Sequence, residues 1–284
     1  METMPRDLCA SSVQRQRAFG QAAVRLALSG QATRLVDLRQ EGSARAMLPR
    51  SAPDRPEVVF LNTSGGLTSG DALGFALALG PGARALATTQ TAERAYLAPD
   101  GPAGLTVSLV AGAGADLVWL PQETILFEGS DLKRRTVVDL GQDATCLLLE
   151  VVVLGRRAMG EVPRAARLAD QRRVSLQGRP LWLEQVRLDS GALALAEGTA
   201  VLGGAAAFAT LAVCGQGCEA AADALRTVPA PCGVQSGISG WNGRCLLRAV
   251  GVELWSLKQY LGAAVARLTG RSLPRVWQMQ GVSG

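Results

Sequence analysis

A repeat near thirty residues, more than any single motif, limits how this chain can fold. GARALATTQ (Gly82–Gln90) aligns with GADLVWLPQ (Gly114–Gln122) 32 residues on, and DATCLLLEV (Asp143–Val151) follows after a further 29. Each copy opens on a Gly, Ala or Asp turn and runs into a mostly apolar strand. Alternating strands precede the first two copies, in GFALALG (Gly74–Gly80) and LTVSLV (Leu105–Val110). One strand–turn–strand unit cannot bury its apolar face alone. Units repeated at this period therefore predict stacked β-layers, as in a solenoid or an elongated sandwich.

Downstream, RRVSLQG (from Arg172), RPLWLEQVRLD and GTAVLGG (to Gly204) continue to read as strands. The apolar stretch Ala200–Cys214 is too short and too rich in Ala and Gly for a membrane span, and it reads as buried strands. CEAAADALRTV (Cys218–Val228) has helical composition and is closed by Pro229-Ala230-Pro231. VQSGISGW and GRCLLRAVGV return to strand. Leu254, Leu257, Leu261, Val265 and Leu268 then form one apolar helical stripe, stopped by Gly270 and Pro274. With 33 Gly, 13 Pro and 48% apolar residues against 4% aromatic, many short strands around an Ala/Val/Leu core are expected. The fold class is therefore mainly β: an elongated, β-helix-like stack of sheets in one domain, with two α-helices near the C-terminus. That domain is expected over residues 18–284, with residues 1–17 a flexible arm.

The 284 residues contain no histidine. Ser-His-Asp triads, Cys-His pairs and HExxH zinc sites are thereby excluded, so an ordinary hydrolase is disfavoured. The net charge of +5 is concentrated between Arg156 and Arg187, where eight Arg meet three acids. A solvated sheet face explains such a segment most simply. Docking of an acidic protein is a second reading. A nucleic-acid-binding module is a third, without the aromatic or Gly pattern such modules carry. The N-terminus lacks the apolar core of a signal peptide. Six cysteines (Cys9, Cys146, Cys214, Cys218, Cys232, Cys245) then read as reduced thiols of a soluble, cytoplasmic protein.

Five segments are candidate sites. NTSGGLTSGD (Asn62–Asp71) is neither a phosphate loop nor GxGxxG; Asp71 either locks a pair of tight turns or serves as a charge or ligand at a surface or polar passage. In LPQETILFEG (Leu120–Gly129), Glu123 is flanked by apolar residues, so it is either on an exposed edge or buried and paired. In VLGRRAMGE (Val153–Glu161), Glu161 either pairs locally with Arg156 or Arg157 or joins Asp71 on one surface. Gly215-x-Gly217-x-x-Ala220 imitates a dinucleotide fingerprint but lacks the acidic residue expected about 20 positions on. Cys214, Cys218, Cys232 and Cys245 lack paired CxxC knuckles, which favours buried thiols over a zinc site.

In order, NTSGGLTSGD, TTQTAERAYL (Thr88–Leu97), LPQETILF, LGRRAMGE and LPRVWQM (Leu273–Met279) resemble the signature blocks of the urease accessory protein UreD (UreH) family. Ser69-Gly70-Asp71 stands where that family often has Gly-Gly-Asp. The resemblance implies an elongated β stack with two helices and no catalytic residues. It implies partners too: apo-urease, a UreF-like protein and a UreG-like GTPase, with no nucleic acid and no membrane. GTP belongs to that GTPase, and no cofactor is tightly bound. It further implies a chaperone that helps insert nickel into urease, with transient nickel but no tight metal site. A water-filled passage for nickel belongs to the same picture, and Asp71, Glu123 and Glu161 are the carboxylates expected to line or gate it. Nickel(II) accepts carboxylate and water, and weak ligands let a delivered ion leave.

Overall fold

A computed structural model describes residues 17–50, 52 and 54–278. Only Arg17 of the expected arm lies among them. Strands β1 (Phe19–Ser29) and β2 (Ala32–Gly42) form a hairpin, followed by β3 (Ala44–Met47) and β4 (Glu57–Asn62). The repeat region supplies β5 (Ala72–Leu79), β6 (Arg84–Thr89), β7 (Glu93–Ala95), β8 (Ala103–Ala111) and β9 (Asp116–Leu120). It continues through β10 (Thr124–Leu126), β11 (Asp131–Leu140), β12 (Thr145–Leu154) and β13 (Arg167–Leu176). Strand β14 (Arg179–Leu188), helix α1 (Ser190–Ala194), β15 (Ala207–Cys214) and α2 (Ala221–Arg226) come next. Strands β16 (Val234–Trp241) and β17 (Arg244–Gly251) and helix α3 (Leu254–Thr269) complete the set.

Two sheets face each other. One has the order β14-β13-β11-β8-β5-β1-β2, the other β16-β17-β15-β12-β9-β6-β4-β3, with β10 bridging β12 and β7. Successive repeat strands alternate between the sheets, and each pairs in parallel with the strand one coil earlier. Arg84 faces Asp116 and Asp116 faces Thr145, so the 32- and 29-residue steps of the sequence are the registers of the stack. The family-like expectation of a stacked, mainly β fold holds.

A four-residue corner explains the repeat. Gly80-Pro-Gly-Ala83, Gly112-Ala-Gly-Ala115 and Gly141-Gln-Asp-Ala144 each turn the chain from one sheet to the other. The third residue of each takes the left-handed region (Gly82 φ 65, Gly114 φ 64, Asp143 φ 55), where Asp is among the few tolerated substitutes for Gly. The closing alanines Ala83, Ala115 and Ala144 are all buried. A Cβ on Gly112 would meet the backbone at Pro81 N, 2.8 Å away, and one on Gly141 would meet Ala113 N at 2.7 Å. The corners stack because they are bare.

Two apolar layers result. Between the sheets lie Leu26, Phe60, Leu77, Leu109, Trp119 and their neighbours. Outside the second sheet, Leu211, Leu247 and Leu149 pack against Leu257, Leu261 and Val265 of α3. Strand β12 is covered on both faces, which is why TCLLLEVVVL reads as a continuous apolar run.

Both expected helices form, although the first begins as a 3-10 turn at Cys218–Ala220. Two readings are corrected. GTAVLGG is a series of turns following α1, an additional short helix capped by the Asp189 side chain, and the strand within Ala200–Cys214 begins only at Ala207. Turn-rich glycine at Gly198, Gly203 and Gly204 outweighs the strand propensity of Val201 and Leu202. Among the described residues, no helix is long and apolar enough to cross a membrane.

The corner geometry yields a stability prediction. Gly112→Ala costs about 1–3 kcal/mol in urea unfolding, since backbone of the preceding coil at Leu79–Pro81 must move. Asp143→Gly changes stability by less than about 1 kcal/mol, because relief of the left-handed strain offsets the added chain entropy.

Candidate functional site

The remaining corners stack along the opposite edge, and they carry the blocks singled out above. Leu67 N donates to Arg94 O, Tyr96 N to Leu67 O, Ala98 N to Gly129 O, and Gly155 N to Leu126 O. Tyr96 and Phe127 rings lie 5.0 Å apart, with the Arg156 guanidinium 4.8 Å from the Phe127 ring centre. Asn62–Asp71, Thr88–Leu97, Leu120–Gly129 and Val153–Glu161 thus become neighbours in space.

Asp71 is 4% exposed, and both its oxygens are engaged: Oδ1 accepts from Ala18 N at 2.7 Å and Oδ2 from Thr68 N at 2.9 Å. It is a turn lock that also fixes the entry to β1. Ser69 is fully buried, and its Oγ accepts from Asp100 N at 3.0 Å. Glu161 Oε2 receives Arg156 Nε at 2.8 Å and Oε1 receives Glu128 N at 3.1 Å; the Arg156 hydrogen bond holds its carboxyl below the ordinary range. Glu123 lies elsewhere, on the helix side. Its Oε2 accepts from Lys258 Nζ at 2.7 Å, and the same ammonium donates to Gln122 Oε1 at 2.6 Å and sits 4.9 Å from the Trp277 ring centre. Trp277 Nε1 donates to Leu120 O, so LPQET and LPRVW fasten α3 to the sheet. No hydrogen bond or ion pair joins Asp71, Glu123 and Glu161 to one another. Each has its own local partners.

An extended ion-pair ladder lies between the sheets. Trp119 Nε1 donates to Glu150 Oε1 at 3.2 Å, and Glu150 Oε2 meets Arg134 Nη1 at 2.6 Å. Arg134 grips Asp170 with two bonds of 3.0 and 2.6 Å and donates to Thr124 Oγ1. Asp170 also accepts from Arg172, whose Nη1 reaches Glu184 Oε2 at 2.7 Å. Glu184 Oε1 finally takes two bonds from Arg248. The ladder runs from fully buried Glu150 to Arg248, whose side chain is 58% exposed. At that outer end Glu184, Arg248, Thr210 and Phe208 line a cavity of about 460 Å³.

Burial alone would depress Arg134, but the charges of Asp170 and Glu150 outweigh it and hold the guanidinium above its usual range. Burial pushes Glu150 up against the pull of Arg134 and Arg172. For Asp170, burial is overcome by Arg134 and Arg172, and its carboxyl stays low. Thr136 Oγ1 and Arg172 Nε, beside the ladder, are buried without a partner among the described residues. Orphaned polar atoms of this kind suit water or another small polar guest. Strand parity signals the inward placement of three ladder residues, though not their pairing: Arg134 falls with Leu132 and Val138, and Asp170 and Arg172 fall with Leu168 and Val174.

A second carboxylate lies on the edge that carries these blocks. Glu93 is half-buried there, and Asn62 Nδ2 donates to its Oε1 at 3.2 Å. Burial pushes its carboxyl up to about 7. Asn62, Thr89, Gly66 and Glu93 border a pocket of about 30 Å³.

The remaining candidates resolve simply. Gly215 sits 2.7 Å by its missing Cβ from Ala144 O, and Glu219 Oε2 accepts from Gly243 N. Strand β15 is antiparallel to both neighbours, so the fingerprint-like glycines open no βαβ unit. Cys146 and Cys214 face each other across β12 and β15, and Cys245 is also buried; the contact with Cys214 and burial push the Cys146 thiol well up. Among the described residues no three of Cys, Asp and Glu gather to hold a metal ion. Cys9 lies outside them. Nor is the Arg156–Arg187 segment wholly a solvated face, since Arg172 is 1% exposed.

The UreD urease accessory protein family model matches residues 18–278. This chain belongs to the UreD family. It is 50% identical over 276 residues to the urease accessory protein UreD of Cereibacter sphaeroides strain ATCC 17025, covering 97% of this chain and 98% of that one. The UreD proteins of Paracoccus denitrificans and Dinoroseobacter shibae are 45% and 44% identical, over 94% and 98% of this chain and 94% and 99% of theirs. The chain therefore has a role in urease maturation as an accessory protein, and four of the five UreD-like blocks are corners of its stacked edge.

Two measurements follow from the site. Asp170→Ala leaves Arg134 and Arg172 without their shared anion and costs about 3–5 kcal/mol in urea unfolding. Glu93 holds its proton longer when folded than when unfolded, so stability falls as pH rises from about 4.5 to 7 and is level above that. The loss amounts to about 3 kcal/mol, and Glu93→Gln abolishes it in a pH series of unfolding midpoints.

Proposed function

We propose that this UreD-family chain is a non-catalytic maturation factor of the cytoplasm that docks on apo-urease. With a UreF-like protein and a UreG-like GTPase it promotes GTP-dependent insertion of nickel into the urease active site. GTP hydrolysis is the GTPase's step, and nickel is cargo here. The observation that carries this reading is the Glu150–Arg134–Asp170–Arg172–Glu184–Arg248 ladder, which leads from the core to an open cavity.

Chemically the ladder suits passage better than storage. Three carboxylates alternate with three guanidiniums, so no bare cluster of anions exists to trap a divalent ion. A hydrated nickel ion gains carboxylate oxygens only as it displaces a guanidinium, and the returning guanidinium releases it. With no imidazole anywhere in the chain, every side-chain contact on such a route is carboxylate, hydroxyl or thiol. We assign Asp71 and Glu161 to the edge that meets partners and Glu123 to the seat of α3, with the route itself through Glu150, Asp170 and Glu184.

The test is reconstitution with apo-urease, the UreF-like and UreG-like proteins, GTP and limiting nickel. Glu150→Gln and Glu184→Gln are expected to assemble normally yet lower nickel per urease and activation about tenfold. Asp71→Ala and Glu161→Ala are expected to lower assembly and leave nickel per assembled complex unchanged. Normal activation by both Gln variants would overturn the ladder as the route.

A further inference from the structure

While α2 and α3 cover the outer face of one sheet, the outer face of the other carries a mainly basic field, with Asp139 of β11 as the exposed acid in the adjoining row. Lys133 and Arg135 on β11, Arg173 on β13 and Arg187 on β14 all point outward, because Leu132, Arg134, Asp170 and Arg172 occupy the inward parity. The registers place Lys133 in one cross-strand row with Arg187, Arg135 in the next, and Arg173 in the third. The four cations therefore lie within about 15 Å, from strand spacings of about 4.8 Å and two-residue steps of about 6.6 Å. Every other position in those rows, from β8 to β14, is Gly, Ala, Ser, Thr, Gln, Val or Leu; none is acidic. None of the four makes a hydrogen bond or ion pair among the described residues, whereas Arg167 at the border is paired with Asp131.

We infer that this face docks an acidic surface of the urease apoprotein. The inference rests on the maturation reading and assigns it a face. Sheets usually intersperse charges of both signs, and four exposed cations against the single acid Asp139 in the adjoining row raise the local potential toward an acidic partner. Apolar contact is present as well: Leu183 is 59% exposed and Val110 41%. Beside them the small residues Gly74, Ala76 and Gly104 leave a depression of about 350 Å³. Apolar side chains on the same face and a depression on its β1–β5–β8 side fit a protein surface, since a phosphate backbone gains nothing from them.

The test uses the full chain with urease apoprotein, binding measured at 50 and 300 mM NaCl, beside the variant Lys133→Glu/Arg135→Glu/Arg173→Glu/Arg187→Glu. A control variant, Arg34→Glu/Arg179→Glu, reverses exposed cations elsewhere, and circular dichroism with the melting midpoint verifies folding of both. The docking face predicts salt-sensitive binding by the natural chain, at least about a tenfold loss in the four-site variant, and little change in the control. Equal affinity of natural chain and four-site variant overturns the face while leaving urease docking intact. Tighter, salt-dependent binding of duplex DNA than of apo-urease through the same four residues overturns it in favour of nucleic acid. Failure of the natural chain to bind apo-urease overturns the maturation reading and this proposal with it.

Discussion

Parallel coil-on-coil pairing is the constraint from which the other features follow. Once Arg84, Asp116 and Thr145 are in register, every residue between them is assigned to the inside or outside by parity alone. The bare corners at Gly80, Gly112 and Gly141 permit that register, since a side chain at the middle one would collide with the coil on one side. Parity then fills most of the interior with Leu, Val and Ala. It also places Glu150, Arg134, Asp170 and Arg172 in adjoining interior positions near the C-terminal end of the stack.

A buried ion pair is a poor stabiliser, because desolvation consumes most of the Coulombic gain. Apolar residues at those four positions would serve packing equally well. The ladder fits the route proposed above: it is held by bidentate Arg134–Asp170 geometry and reaches the cavity where β14, β15 and β17 leave the sheets unfilled. The stack separates three tasks in space. Corners along one edge gather the UreD blocks, the basic outer face meets solvent, and the ladder occupies the interior.

Much of this was legible in the residues. The 32- and 29-residue steps, the turn glycines with Asp143 as their substitute, and the stripe through Leu257, Leu261 and Val265 each follow from local chemistry. Asp71 and Glu161 were recognised as acids in tight turns, and their local pairings with backbone and Arg156 are what such positions ordinarily form. What escaped was non-local. Glu150 sits in an apolar run that gives no hint of its partner, and Arg134 and Asp170 lie 36 residues apart, on strands joined only by the stack. GTAVLGG differs for the opposite reason: its local strand propensity is real, but its glycines turn the chain.

The most direct test of the interior passage leaves its charges in place and obstructs the space beside them. Thr210 is 7% exposed and lines the cavity next to Glu184 and Arg248, so Thr210→Trp fills the mouth without removing a ladder residue. The measurement is nickel bound per urease active site after reconstitution with this variant, with complex assembly monitored in parallel. A conduit predicts intact assembly with little nickel delivered. Full nickel occupancy from an assembled, plugged complex would contradict it.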